Sequence, residues 1–208
     1  MDADATEACT IMGRYCDGDV AAFHRLYALL SARIQSYLTG ILGDRAAAED
    51  VLQQTFLKVH QSRESYVRGA NPIPWIYTIA HRSALDDLRR RKRSRVRLTK
   101  DGELHSPPTA GLSGGEQPAD ALESAGSQEG PDAERLATTL AALENLPEGQ
   151  RQALLLTKVH GRTHAEAALI MGSTAGAIKL RAHRAYVSLR KVLGVSNAAD
   201  AADEKETT

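Results

Sequence analysis

This chain has few aromatic residues, two cysteines and no long apolar run. Aromatics make up 4% of its 208 residues and alanine is abundant, a composition that favours small helical bundles over a β-sandwich or barrel. No apolar stretch approaches the ~20 residues that a membrane-spanning helix needs. Cys9 and Cys16 fit no standard spacing of zinc ligands, so we expect ordinary reduced thiols and no metal.

Signals for secretion and for catalysis are also missing from the sequence. The N-terminus is acidic and lacks the basic and apolar segments of a signal peptide, so we expect a cytoplasmic protein. We find no phosphate-binding loop, no nucleophile motif and no cluster of metal ligands. The sequence therefore predicts a protein that is not an enzyme and that needs no cofactor.

The formal net charge is zero, yet the charges are sorted by region. Residues 82–100 hold nine Lys or Arg against two Asp, and residues 173–193 hold five Lys or Arg and no acid. Between them, residues 101–134 hold eight carboxylates and no Lys or Arg. This order predicts two basic surfaces joined by an acidic bridge.

Apolar periodicity predicts a first helical domain over residues 19–93, after a flexible leader at 1–18. Asp19, Asp44 and Asn71 are expected to cap its three helices, because a side-chain oxygen at such a position accepts from free backbone N–H groups. Apolar residues recur every three or four positions in each helix, so the three stripes can share one core.

A second helical domain is predicted over residues 133–194, beyond a flexible acidic linker at 94–132. Thr163 opens a capping box, and Gly172 separates that short helix from a longer basic one. A short capped helix, a glycine turn and a basic helix describe a helix-turn-helix. Residues 195–208 are expected to be an acidic disordered tail. The predicted fold is all-α, with two small helical domains.

The segment from Asn71 to Arg97 combines aromatic and apolar residues with a run of cations. Aromatic faces stack on unpaired bases and arginines neutralise phosphates, so this pairing predicts a grip on nucleic acid where strands separate. Two plainer interpretations stay open. Trp75 can be a core anchor, and the run from Arg89 to Arg93 can be a solvated helix end that suits the helix dipole.

Three stretches of the sequence resemble the extracytoplasmic-function (ECF) sigma factors, the smallest type of the bacterial primary-sigma superfamily. Residues 48–59 resemble the helix that binds core RNA polymerase, and residues 74–90 resemble the helix that reads the minus-ten element. Residues 146–184 resemble the domain that reads the minus-thirty-five element. The resemblance implies an alternative sigma factor that binds core polymerase, directs it to specific promoters and promotes strand separation.

The resemblance also implies which residues do this work. The polymerase's beta-prime clamp helices would contact Asp50, Gln53, Gln54 and Leu57, although Gln54 stands where the family usually has Glu. On chemistry alone, an ordinary solvated helix face explains the same residues. Minus-ten DNA would contact residues of the third helix and of the loop before it, which shapes a pocket for an extruded base. These are Arg63, Tyr66, Arg68, Asn71, Trp75, His81, Arg82, Arg89, Arg90 and Arg93.

The resemblance implies that the long basic helix reads the minus-thirty-five element. Such a helix can insert into DNA because a B-DNA major groove admits one helix. The implied contacts are Thr174, Lys179, Leu180, Arg181, His183 and Arg184. A polar face of a helical hairpin is the plainer alternative. The family usually has a small hydroxyl residue at the position of Leu180. A leucine there favours an apolar contact with DNA over a hydrogen bond.

Implied partners are core RNA polymerase, promoter DNA and a controlling anti-sigma factor, free or membrane-bound, with no insertion of this chain into a membrane. The acidic linker is either a plain tether or a segment that threads through the polymerase's active-site cleft in place of nucleic acid. The alternative function is a helix-turn-helix regulator that binds duplex DNA without polymerase. It explains residues 147–193 but leaves 50–59 and 75–93 unexplained.

Overall fold

The computed structural model describes residues 3–100, 139, 141–143 and 145–193, and every regular element within these ranges is helical. The N-terminal half contains α1 (Ala3–Cys16), α2 (Val20–Leu42), α3 (Arg45–Gln61), a 3₁₀ turn (Arg63–Ser65) and α4 (Pro72–Lys100). The C-terminal half contains α5 (Glu148–Leu154), a π-helical segment (Leu155–Val159), α6 (His164–Met171) and α7 (Ala175–Val192).

Capping side chains begin the helices where the sequence predicts them. Asp19, Asp44 and Asn71 each accept a hydrogen bond from a first-turn backbone N–H, at 3.2, 3.0 and 3.0 Å. Thr163 closes the predicted capping box of α6. Gly172 ends that helix at a φ of 59°, in the left-handed region that favours glycine. These local signals fix the starts of α2, α3, α4 and α6 and the turn of the helix-turn-helix.

Most of the segment predicted to be a flexible leader at 1–18 is helix α1, so that prediction is wrong for Ala3–Cys16. Its inward stripe consists of Ala5, Ala8, Met12 and Tyr15, none of which is more than 7% exposed. Two of these four positions are alanine, which contributes little to the apolar periodicity from which helices are predicted. Helix α1 packs on α2 and extends the core of the N-terminal half.

Helix α4 continues to Lys100, past the predicted end of the first domain at residue 93. The start of the predicted linker is therefore helical. Its residues include good helix formers, and no glycine or proline occurs before Gly102. The remainder of the predicted linker and the predicted tail at 195–208 lie outside the described residues.

One hydrophobic core joins the two halves. Leu155, Leu156 and Ile170 belong to the same buried cluster as the residues of α2 and α4. Arg151 donates from Nη2 to the carbonyl oxygen of Ile41 at 3.3 Å, which ties α5 to the end of α2. We call this contact the seam. Its residues are Tyr37, Gly40, Ile41, Tyr77 and His81 on the N-terminal side and Arg151, Leu155, His160, Ile170 and Met171 on the C-terminal side.

Candidate nucleic-acid interface

Helix α3 turns one polar face to solvent. Asp50, Gln53, Gln54 and Leu57 are spaced as neighbours along one side of a helix, and all four are exposed. Leu57 is 57% exposed and adds an apolar side chain to this polar side of the helix. The opposite side of the helix is buried against α2 and α4. The structure thus brings the four predicted residues together on one accessible surface, which we call the α3 face.

An aromatic cluster that was not predicted from the sequence packs behind the α3 face, between α1, α2 and α3. The Tyr15 hydroxyl of α1 is hydrogen-bonded to Nδ1 of His60 at 2.5 Å. The ring of Phe23 lies 5.1 Å from that of Tyr15 and 6.2 Å from that of Phe56, between centroids. Helix α1 therefore helps to fix the end of α3. The three-residue and four-residue spacing of the α1 stripe is the signal that would have found it.

The loop between α3 and α4 is fastened to the end of α1. Arg68 is ion-paired with Asp17 and donates from Nη2 to the carbonyl oxygen of Cys16 at 3.3 Å. The Arg63 guanidinium lies over the ring of Tyr15, 6.0 Å from its centroid. Arg63 and Arg68 nevertheless remain exposed, so both stay accessible at the surface.

Two residues predicted to touch DNA are buried instead. Tyr66 is 7% exposed, lies with its ring centroid 5.6 Å from that of Trp75, and donates its hydroxyl to the carbonyl oxygen of Ala70. Burial raises the pKa of Tyr66 to about 12. His81 is 3% exposed, and its Nδ1 is hydrogen-bonded to the Tyr37 hydroxyl at 2.9 Å. Amphipathic rings fill a core when their polar atoms find partners there, so both residues support the surface from inside.

Three other predicted residues occupy the first half of α4. Trp75 is half-buried and packs against the core, which fits the role of a core anchor and leaves part of its ring accessible. Asn71 is partly exposed, but its side-chain oxygen is occupied in capping α4. Arg82 is exposed at the rim of the seam.

The basic run at the end of α4 is divided by a buried carboxylate. Asp87 has a side chain only 4% exposed, and its two oxygens lie 2.5 Å from Arg90 Nη2 and 2.5 Å from Arg91 Nε. Arg91 also reaches Asp44, the cap of α3, at 3.4 Å. Arg91 is therefore a brace between α4 and α3.

The other cations of the run face solvent. Arg89 is ion-paired with Asp86 at 3.3 Å, but both side chains are mostly exposed. Lys92 and Arg93 are exposed, and among the described residues no acid pairs with either. Exposed surface pairs contribute little and are readily exchanged for a phosphate.

Helices α6 and α7 form the predicted helix-turn-helix. Thr174 caps α7 by accepting from the N–H of Ala177 at 3.2 Å, so its hydroxyl is engaged. Ile178, Ala182 and Ala185 face inward. The other predicted residues are exposed on the outer side: Lys179, Leu180, His183 and Arg184. Arg181 is half-buried, with its Cδ and Nε lying 3.9 Å from where a Cβ on Gly149 would stand.

The seam holds two histidines in an aromatic surrounding. His160 lies edge-on to Tyr37, 5.4 Å between centroids, and its Nδ1 is 3.4 Å from the Tyr77 hydroxyl. Burial lowers the pKa of His81 to about 4, with a further contribution from the charge of Arg82. Burial likewise lowers the pKa of His160 to about 4, assisted by Arg162 and Arg33. Both imidazoles are neutral at neutral pH.

Metal and membrane features are not found in the part of the chain that the structure describes. No group of three or more His, Cys, Asp or Glu there could hold a metal ion. Cys9 and Cys16 are free thiols, and burial raises the pKa of Cys16, which disfavours a reactive thiolate. None of the described helices is both long and apolar enough to cross a bilayer.

Comparison with known proteins relates both halves to one family. Residues 26–94 match the family model Sigma-70 region 2, and residues 137–189 match the model Sigma-70, region 4. The chain is 37% identical over 183 residues to RNA polymerase sigma factor CarQ of Myxococcus xanthus, covering 88% of this chain and 95% of that protein. It is 31% identical to ECF RNA polymerase sigma factor SigF of Caulobacter vibrioides, covering 91% and 95%.

A solved structure shares the arrangement of the helices. It is the sigma factor RpoE in complex with the anti-sigma factor NepR from Bartonella quintana, with a TM-score of 0.63 and 26% identity. The match covers 86% of this chain and all of that one.

Proposed function

Because this chain belongs to the ECF sigma factors, it is an alternative sigma factor that binds core RNA polymerase and directs it to promoters, and we propose how its surfaces divide that work. The α3 face binds the clamp helices of the polymerase. The exposed cations of α4 hold the minus-ten region during strand separation. Helix α7 reads the minus-thirty-five element. A duplex-binding regulator that works without polymerase would leave the α3 face and the α4 cations without a role.

The observation that carries this proposal is the division of the basic run by Asp87. If the run were only a solvated helix end, no buried residue would need to bind Arg90 and Arg91 and leave Lys92 and Arg93 free. Asp87 binds Arg91 back against the α3 cap, while Lys92 and Arg93 keep their charge toward solvent. A surface with fixed spacing between exposed cations suits a polyanion of regular phosphate spacing.

The experiment compares the double variant Arg89→Ala with Arg93→Ala against the single variant Arg91→Ala, because Arg89 pairs only with the exposed Asp86. We expect the double variant to flatten the salt dependence of promoter opening, by about 0.7–0.9 in the log–log slope for each lost phosphate contact. We expect Arg91→Ala to keep the slope and to lower stability by about 1–3 kcal/mol, because it removes a partner of a buried carboxylate. Salt titrations of open-complex formation and chemical denaturation measure the two effects. An unchanged slope in the double variant would make these cations a solvated helix end.

A second prediction concerns promoter reading by α7. Arg184 is exposed and Arg181 is half-buried against α5, so we expect Arg184→Ala to have the larger effect on upstream binding. Loss of a base-reading arginine costs about 1–3 kcal/mol at one base pair and relaxes preference there, whereas loss of a phosphate contact weakens all sequences alike. Holoenzyme carrying each variant is assayed on a set of minus-thirty-five variants. If both variants bind as tightly as wild type and discriminate as it does, α7 faces something other than DNA.

The remaining features of the proposal follow from the family. Sigma factors are transcription initiation factors and not enzymes, and we extend that to this chain. We place its work in the cytoplasm with the polymerase, and we include an anti-sigma factor among its partners because the similar RpoE is seen bound to one.

A further inference from the structure

The end of α2, the later part of α4 and the start of α5 border a pocket of about 480 Å³. We call it the α4–α5 pocket. Its volume lies within the range of about 300–1,000 Å³ that is usual for the sites of small organic ligands. Three leucines and four charged side chains line it, and the two groups suit different parts of one ligand.

The apolar walls of the pocket are Leu42 at the end of α2, Leu88 of α4 and Leu146 just before α5. Leu146 is 8% exposed, and Leu42 and Leu88 are half-buried. Parts of two leucine side chains therefore remain accessible to a molecule in the pocket. These walls favour a ligand with an apolar or aromatic body, because removing apolar surface from water is favourable.

Among the described residues, the guanidinium of Arg151 has no anionic partner. Its hydrogen bond there runs from Nη2 to the carbonyl oxygen of Ile41 at 3.3 Å, and no described carboxylate is ion-paired with it. Arg151 Nε is buried and has no hydrogen-bond partner in that part of the chain. A buried cation is costly unless it is paired and hydrogen-bonded. An anion in the α4–α5 pocket, which Arg151 lines, would meet both needs.

The other charged residues of the pocket add a second cation and an acceptor. Lys92 is exposed, and no described acid pairs with it. Arg91 also lines the pocket, but two carboxylates already hold its charge. Glu148 accepts from Gln152 Nε2 through Oε1 at 2.9 Å, and its second oxygen can accept from a hydroxyl or amino group of a ligand. The pocket thus offers two cations for an anionic group and one carboxylate for a donor.

We propose that the α4–α5 pocket binds a small organic phosphate of the nucleotide class. The phosphate lies between Arg151 and Lys92, the base lies against the leucines, and a hydroxyl or amino group donates to Glu148. A phosphate monoester carries about 1.5–2 negative charges and three acceptor oxygens. A guanidinium matches that geometry with two parallel hydrogen bonds. This inference goes beyond the proposed function, because it requires neither polymerase nor promoter DNA.

Titrations of the full chain with ADP, adenosine and inorganic pyrophosphate separate the parts of this ligand. They are carried out without Mg²⁺ and at constant ionic strength, and binding is measured by calorimetry and by thermal unfolding. We expect ADP to raise the melting temperature as its concentration rises, because a ligand that binds the folded state stabilises it by mass action. We expect ADP to bind at least 10-fold more tightly than adenosine, which lacks the phosphates, and than pyrophosphate, which lacks the apolar body.

Single variants test whether the ligand binds in the α4–α5 pocket. We expect Arg151→Gln and Lys92→Gln each to lose at least 10-fold in affinity for ADP. Lys158→Gln is the matched control, because it removes the same charge from an exposed position outside the pocket, and it should bind as wild type does. Circular dichroism checks that Arg151→Gln keeps its helix content. If it does not, Lys92→Gln, which changes an exposed side chain, carries the test alone.

Three results would overturn the inference. The first is no binding of ADP at millimolar concentration. The second is equal affinity for ADP and for pyrophosphate or adenosine, since the phosphate and the apolar body would then not act together. The third is an equal loss in Lys158→Gln and in the pocket variants, which would reduce binding to general attraction of an anion by surface cations. The proposed function is judged separately, by polymerase binding and promoter opening, so it can stand when this inference fails.

Discussion

The double variant Asp50→Arg, Gln53→Ala should bind core RNA polymerase about 30-fold to 1000-fold more weakly than wild type. Loss of central interface contacts typically costs about 2–4 kcal/mol, and each 1.4 kcal/mol is a factor of ten in affinity. The double change reverses one charge and removes one hydrogen-bonding amide in the middle of the α3 face. Both residues are exposed, so the fold should be preserved.

The measurement is a titration of labelled variant with core polymerase, accompanied by thermal unfolding. Glu64→Arg is the matched control, because it makes the same change of charge at an exposed position outside α3, in the 3₁₀ turn that follows it. We expect the control to bind nearly as wild type does. Unchanged affinity of the double variant would show that the α3 face does not bind the polymerase.

Acidification should destabilise the folded chain between about pH 6.5 and pH 4. His81 and His160 have folded-state pKa values of about 4, below the ordinary value of about 6.5. The unfolded chain therefore binds more protons in this window. The stability contributed by the neutral histidines is present above pH 6.5 and is lost as the pH falls toward 4. At pH 5 we expect a loss of about 1–2 kcal/mol for each histidine.

Denaturant unfolding at pH 7.5, 6.0 and 5.0 measures this loss. His81→Asn keeps a polar partner for Tyr37 and should flatten the dependence, whereas His183→Gln, which changes an exposed histidine, should not. The charged groups near the rings of His81 and His160 are Arg33, Arg82 and Arg162, which stay cationic throughout this range. Equal pH dependence in wild type and His81→Asn would contradict the assignment.

The features predicted correctly from the sequence are those that depend on interactions between residues close together in the chain. Asp19 and Thr163 cap helices by bonding to groups three residues away. Gly172 makes its turn through its own φ. The family resemblance and the fold class, both confirmed, depend on such short patterns together with their order along the chain.

Features that depend on distant residues could not be predicted in this way. Tyr66 and His81 were expected at the DNA surface, but whether a ring is buried is decided by partners such as Tyr37, on another helix. Helix α1 was missed because alanines weaken its stripe. The seam was missed because no periodic pattern links Ile41 to Arg151. The assignment of the remaining surface residues to polymerase or DNA stays a prediction.

The two sides of the seam are far apart in the sequence, so the ribosome makes one side well before the other. Ile41 and Arg151 are 110 residues apart, so at about 5–20 residues per second the ribosome needs roughly 5–20 s to add the partner after α2 is made. Helix α4 ends at Lys100, 51 residues before Arg151, so the N-terminal half is made roughly 2.5–10 s before its partner, and helices form in microseconds. During those seconds Gly40 and its neighbours are uncovered, and a nascent chain carries an apolar surface that its own second half has yet to cover.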